Sequence, residues 1–99
     1  MSNPNTRFVY YTYTRLDYDE GADVLYAKAI GKECWTGAEI TPFIIVSYDK
    51  VHDVTGAQIL DATRMPLEYW LESEARKTMP EALRLDLDKW FRGRPAYRT

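Results

Sequence analysis

The hydrophobic and polar positions of this chain change period once, near Asp61. Before that point apolar residues come in short β-branched and aromatic runs or in alternation, and after it they recur at helical spacing. The segment "FVYYTYTRL", residues 8–16, is dense in side chains that suit a pleated surface and lose rotamer freedom in a helix, so it predicts a first strand. After the polar turn "DYDEG", the segment "ADVLYAKAI" sets Val24, Tyr26 and Ile30 on one face against Leu25, Ala27 and Ala29 on the other, which predicts a second. Gly31 and Gly37 bracket a loop, "GKECWTG". "ITPFIIVSY" reads as a third strand, with Pro42 near its start, where a missing donor is tolerated. A polar turn around "DKVHD" leads to "VTGAQIL", a fourth. Short polar turns between such strands predict an antiparallel meander. Strand three offers Ile44, Val46 and Tyr48 against Phe43 and Ile45. With apolar residues on both faces of strands two and three, the sheet is expected to need cover on both sides, and a second copy of the chain is the simplest supply.

Beyond Asp61, "MPLEYWLESEARKTM" places Leu67, Trp70, Leu71, Ala75 and Met79 on one stripe, with Pro66 where a first helical turn accepts it. One helix is expected there. Pro80 interrupts the run, and "PEALRLDLDKWFRG" then sets Leu83, Leu87, Trp90 and Phe91 at helical spacing, closed by Gly93 as a C-terminal cap. "LRLDLD" within it also alternates like a strand. The fold class expected is α+β: a single domain over 1–99, with a four-stranded antiparallel β-meander over 7–61, two C-terminal helices over 62–93 and a basic tail over 94–99.

Length and composition agree with one ordinary globular domain. Ninety-nine residues, 45% hydrophobic and 14% aromatic, are enough for a core without staples and too apolar for a disordered chain. The single cysteine, Cys34, cannot form an internal disulfide. No apolar run reaches membrane length and no signal segment opens the chain, so no membrane association and a cytoplasmic location are expected. Charge is unevenly placed. Residues 1–75 carry six Lys or Arg against twelve Asp or Glu, or −6, while residues 76–99 carry seven against three, or +4.

Three separated blocks carry a resemblance. "YDEGADVLY" at 18–26, "VSYD" at 46–49 and "VTGAQILDAT" at 54–63 resemble a family of small prokaryotic proteins catalogued as a domain of unknown function. The family pattern reads roughly Y-D-x-x-A-D-x-L-Y, then an apolar strand ending in D-Y-D, then V-G-I-E-I-L-D-A-S. The likeness spans residues 13–63, about half the chain, and leaves out everything from Met65 onward. It implies a small antiparallel sheet followed by helical material. Some members look like partners of ribonuclease-type toxins, which implies an antitoxin role for the group. The family's turn glycine is replaced here by "KVHD", and the acid of its third block is Gln58. Any catalytic or ligand role of that acid in relatives is lost here.

The acids of the first block are the nearest approach to chemistry in the chain. Asp19, Glu20 and Asp23 around Gly21 could form a metal loop, a catalytic cluster or a hairpin corner. A calcium loop needs oxygen ligands at alternating positions and a late bidentate acid, whereas Leu25 and Tyr26 stand where ligands should continue. Acid–base catalysis needs carboxylates in environments that push their pKa values apart, which a turn of solvated acids does not provide. The corner is the expectation, with Asp19 and Asp23 accepting backbone hydrogen bonds, Gly21 supplying a positive φ, and Tyr18 and Tyr26 paired across the hairpin. His52, the one histidine, reads as a turn residue with no nucleophile placed for it. Cys34 reads as an inert thiol with Lys32 the only nearby cation. Trp35, between two loop glycines, either packs onto the sheet or anchors a partner.

No catalytic residue, metal or cofactor is therefore expected, and the chain reads as an interaction module and not as an enzyme. The concrete form is an antitoxin-like or inhibitor-like protein that meets a basic, nucleic-acid-handling partner protein through Asp19, Glu20, Asp23 and Trp35, and that forms a homodimer. One alternative is single-stranded nucleic-acid binding, through the aromatic run Tyr10, Tyr11 and Tyr13 and the tail cations Arg92, Arg94 and Arg98 set among Phe91 and Tyr97. The −6 charge of the sheet region weighs against it. A small enzyme of unidentified activity is the other.

Overall fold

The computed structural model of the protein describes residues 14–95 in full and the backbone of residues 6–10. Six strands precede three helices: β1 (Thr6–Tyr10), β2 (Thr14–Asp19), β3 (Val24–Ala29), β4 (Thr36–Thr41), β5 (Ile44–Tyr48), β6 (Val54–Leu60), α1 (Leu67–Glu72), α2 (Glu74–Thr78) and α3 (Glu81–Gly93). The fold is α+β with every strand pair antiparallel, as expected, but the strands and helices are more numerous.

Each extra element has a local cause. The segment expected to be one strand, "FVYYTYTRL", supplies β1 and the start of β2, which pair with each other, Val9 opposite Leu16. "ITPFIIVSY" is likewise divided: Pro42 and Phe43 form the tight turn between β4 and β5, so the proline sits in the hairpin and not at a strand's start. Gly37, expected in a loop, lies in β4. The single helix expected over "MPLEYWLESEARKTM" is broken at Ser73, whose extended backbone ends α1 and opens α2. The Ser73 hydroxyl donates to the Trp70 carbonyl at 2.8 Å and accepts from the Arg76 N–H at 3.2 Å, satisfying an orphan group of each helix. Helix α3 runs through Gly93, and Arg94 is its C-terminal cap.

Strand order is β1-β2-β3-β6-β5-β4, not the order of a meander. The chain leaves β3, crosses one end of the sheet to form the far edge β4, and returns by two hairpins so that β6 fills the place beside β3. Strands β3 to β6 thus make a Greek key. Gly56 is required where β6 meets β3, because a Cβ there would lie 2.1 Å from the Ala27 carbonyl oxygen.

One face of this sheet carries the helices. Leu16, Tyr18, Leu25, Ala27, Ile44, Val46, Ala57 and Ile59 are buried on it against Trp70, Ala75, Met79, Leu83, Leu87, Trp90 and Phe91, so the expected apolar stripes of both helical segments do face the core. Rings join the layers: Trp70 stacks on Phe91 at 4.7 Å, Phe91 meets Trp90 edge-on, and Trp90 lies 5.4 Å from Tyr18. Asp88 locks the helices together. It accepts from Trp70 Nε1 at 2.7 Å and takes two bonds from Arg76, at 2.9 and 2.6 Å.

The other face is more mixed. Paired residues share a face, so the register sets Arg15 beside Lys28, Asp17 beside Tyr26, Tyr26 beside Gln58, and Gly56 beside Ser47 there. The same register puts Phe8 opposite Asp17, Tyr10 opposite Arg15 and Val24 opposite Leu60 on this face beside Tyr26 and Ile45, so apolar and polar positions are mixed on it. Tyr18 and Tyr26 do not pair across the hairpin: Tyr18 lies opposite Leu25 and faces the core, while Tyr26 is exposed on the far side.

Candidate interaction surface

The four residues singled out for partner binding do not share a surface. Asp19, Glu20 and Asp23 occupy the β2–β3 turn, at the start of β3. Trp35 follows the end of β3, and six residues of strand put roughly 17 Å between those ends.

At the acidic end the hairpin-corner reading holds for Asp19, whose Oδ1 accepts from the Gly21 and Ala22 N–H groups at 3.0 and 3.2 Å. The positive φ of the turn belongs to Asp23, at 54°, where Gly21 was expected to supply it. Asp23 is only 6% exposed and is directed inward. Its Oδ1 accepts from the Tyr18 hydroxyl at 2.7 Å, the Thr63 N–H at 3.0 Å and the Thr63 hydroxyl at 2.8 Å, and Arg64 Nε lies 3.4 Å from Oδ2. Burial works to raise the carboxyl pKa. The bonds from Tyr18 and Thr63, with the Arg64 charge, overcome it and hold Asp23 below the usual range. Burial first, then the bond to Asp23, pushes the Tyr18 phenol up to about 12. Arg64 also pairs with Asp61. This node ties the β2–β3 turn to the segment after β6; Asp23 is a structural acid, not one offered to a partner.

The opposite end is built from two connections. Gly31, at φ 83°, turns the chain out of β3, and the Lys32 N–H closes the turn on the Ala29 carbonyl at 3.2 Å. The chain then crosses to β4, where the Trp35 N–H donates to the Tyr48 carbonyl at 2.7 Å. Beside it, the β5–β6 turn is organised by Asp49. Its Oδ1 accepts from the Val51 and Asp53 N–H groups at 3.0 and 2.9 Å, and its backbone exchanges bonds with Asp53 and His52. His52 sits at φ 70° with its ring edge-on to Tyr48, as a turn residue.

These bonds fix the backbone and leave three apolar side chains outside: Ile30 at 56% exposure, Trp35 at 64% and Val51 at 76%. Trp35 does not pack onto the sheet. Its indole lies under the Lys50 ammonium, 4.7 Å from the ring centroid, and Lys32, Glu33, Cys34 and Asp49 complete a shallow hollow around it. The Cys34 thiol is exposed, with Sγ 3.7 Å from the Thr36 carbonyl oxygen. Sequence reading found Trp35 and missed Ile30 and Val51. Ile30 was absorbed into strand two, while a lone valine inside the polar stretch "DKVHD" was a signal that could have been used.

No group of three or more His, Cys, Asp or Glu among the described residues could hold a metal ion. The remaining perturbed groups are structural: Asp88 is held low by Arg76 and Trp70 against the opposing effect of its burial, Arg76 is raised by its bond to Asp88, and burial lowers Arg94. The tail cations proposed for nucleic acid diverge. Arg94 turns inward, donating to the Ala62 carbonyl at 2.8 Å and lying over the Phe91 ring, whereas Arg92 is exposed. Arg98 and Tyr97, like Tyr11 and Tyr13 and the side chain of Tyr10, lie outside the described residues. No helix among the described residues is long and apolar enough to cross a membrane. Comparison of the chain with protein-family models, with curated proteins and with solved structures finds no match.

Proposed function

We propose that the protein is a small binding module that docks a protein partner through the hollow of Trp35 and Val51, with Ile30 exposed at the same end of β3. One observation carries this reading. Three large apolar side chains stay in solvent on a backbone that hydrogen bonds hold from both sides, so their exposure is built into the fold. Leaving apolar area in water forgoes about 25 cal/mol per Å², and clusters of this kind on rigid loops suit recognition. Trp35 is the anchor. Glu33 and Asp49 line the hollow with Lys32 and Lys50, so charge balances there, and it is the −6 balance of residues 1–75 that favours a partner with basic groups around an apolar contact. An antitoxin-like or inhibitor-like role, the form implied by the sequence resemblance, would be the same act with a nucleic-acid-handling protein as partner.

Capture from the native host with the wild-type chain and with Trp35→Ala as baits tests the reading. The expected result is a protein retained by the wild type and lost by Trp35→Ala, with retention that weakens as salt rises. Equal retention by both baits would sink it.

A further inference from the structure

The edge strand β4 offers a second surface, made of backbone. Along an antiparallel ladder successive residues of a strand bond alternately to one neighbour and to the other. The Leu60 N–H donates to the Phe43 carbonyl at 2.8 Å, and Ile45 and Ser47 stand opposite Gln58 and Gly56 in the same register, so Phe43, Ile45 and Ser47 serve β6. That leaves Ile44, Val46 and Tyr48 to serve β4, and their partners there include Ala38 opposite Val46 and Thr36 opposite Tyr48. The intervening residues of β4, Gly37 and Glu39, therefore turn their N–H and C=O groups away from the sheet.

Among the described residues this edge is lightly protected over its first four positions, with Glu39 their one charge. Thr36, Gly37, Ala38 and Glu39 are all exposed, and the strand contains no Lys, Arg or Pro. Its one register shift falls between Glu39 and Thr41. Natural sheets protect such an edge with charge, proline, a bulge or a cover, or else they use it.

We propose that β4 pairs with β4 of a second copy, antiparallel, about a two-fold axis at Ala38, so that two six-stranded sheets become one continuous sheet. The strand is complementary to itself in this register. Gly37 faces the partner's Glu39 and Glu39 faces the partner's Gly37, and these are the residues whose backbone groups point outward, so each pair exchanges both of its hydrogen bonds. Ala38 meets the partner's Ala38 at the non-hydrogen-bonded position, where side chains come closest and a methyl group is the best fit. The one charged residue, Glu39, lies opposite a glycine and not opposite its own copy. Shifting the axis to Glu39 would put like charges face to face, and shifting it to Gly37 would leave the Glu39 backbone paired with residues at the Trp35 bend. A dimer of this form is closed and isologous. It also sets the two loop clusters at opposite ends of the joined strands, making the module bivalent.

Sedimentation of the wild-type chain across micromolar concentrations is expected to show reversible dimers. Ala38→Lys, which places two ammonium groups across the axis on an exposed position, is expected to raise the dissociation constant by about tenfold or more. A positional test does not depend on that variant's folding. In a Cys34→Ser background, Ala38→Cys should form an intermolecular disulfide on mild oxidation, because residues at such a pair have Cα atoms about 4.5 Å apart. Glu39→Cys should not, since each Glu39 lies diagonal to its copy. A chain that stays monomeric at all concentrations, or that cross-links as readily through residue 39 as through residue 38, would overturn the proposal. So would a foreign strand that adds to β4 of a monomer.

Discussion

Asp23 and Thr63 stand forty positions apart in the chain, yet Thr63 places both its N–H and its hydroxyl on the same oxygen of Asp23. The Tyr18 hydroxyl occupies that oxygen as well. The corner of one hairpin is thereby fastened to the chain that leaves β6, at the point where sheet gives way to helix.

Removing that acid should cost much more than removing an exposed one. Asp23→Ala leaves the Tyr18 hydroxyl and two Thr63 donors without this acceptor and removes one of the charge partners of Arg64, and a loss of about 3 kcal/mol in unfolding free energy is expected. Asp19→Ala, which loses only turn bonds in solvent, should cost about 1 kcal/mol or less. Urea titration of both variants checks the difference, and equal midpoints would refute the structural role of Asp23.

The same node predicts how stability follows pH. Asp23 and Asp88 both have folded-state pKa values below the ordinary 3.8, so the unfolded chain binds more protons in acid. Their stabilisation is complete above the unfolded value and is lost as pH falls through the folded ones. Tyr18 acts at the other end. Raised from 10.0 to about 12, it contributes stability that is whole below pH 10 and disappears as pH climbs through the folded value. The melting temperature should be level near neutrality and fall on both flanks. Tyr18→Phe should flatten the alkaline flank, and an unchanged flank in that variant would show that another group governs it.

Trp70 is fully buried, stacked on Phe91 and bonded to Asp88. Trp70→Ala should cost about 3–5 kcal/mol. Trp70→Phe keeps much of the packing but leaves Asp88 without one donor, so an intermediate loss is expected. Thermal melts that rank the two variants in the opposite order would contradict the hydrogen bond.

Gly56→Ala should be severe for a substitution of one methyl group. The new Cβ would meet backbone, 2.1 Å from the Ala27 oxygen, and backbone in the middle of a sheet cannot swing aside. A loss of about 2 kcal/mol or more is expected, whereas Gly93→Ala, whose Cβ meets nothing within 4 Å, should be neutral or stabilising. Melting both variants side by side decides it.

Periodicity located β3, β6, α3 and the buried stripes Leu67–Met79 and Leu83–Phe91, because in those segments burial on one face dictates the residue pattern. It missed β4. "TGAEIT" is small and polar because an exposed edge imposes no apolar alternation, and such a strand looks like a loop in sequence. The break at Ser73 was hidden for the opposite reason: the apolar stripe continues through it, and only the serine before "EAR" marks a cap. Asp23 was read as a surface acid because its partner lies across the fold, where no local pattern reaches. Trp35 was visible as an oddity, but its exposure depends on the Asp49 turn and on its own bond to Tyr48. The expectation of two apolar faces rested in part on Ile30, which lies beyond the end of β3 and is exposed, and on Phe43, which is a turn residue, while Val24, Tyr26 and Ile45 do lie on the face away from the helices.

The strand order β1-β2-β3-β6-β5-β4 also sets a timetable for synthesis. A chain emerging from the ribosome completes two separate units first, the β1–β3 meander and the β4–β5 hairpin, and neither can dock on the other until residues 54–60 arrive to fill the gap. Until then β3 and β5 each present an edge of unpaired backbone N–H and C=O groups, and the helices that cover the apolar face have not been made. The sheet therefore closes late and all at once, by insertion of its central strand, with the long-range pairing that slows folding concentrated in one step.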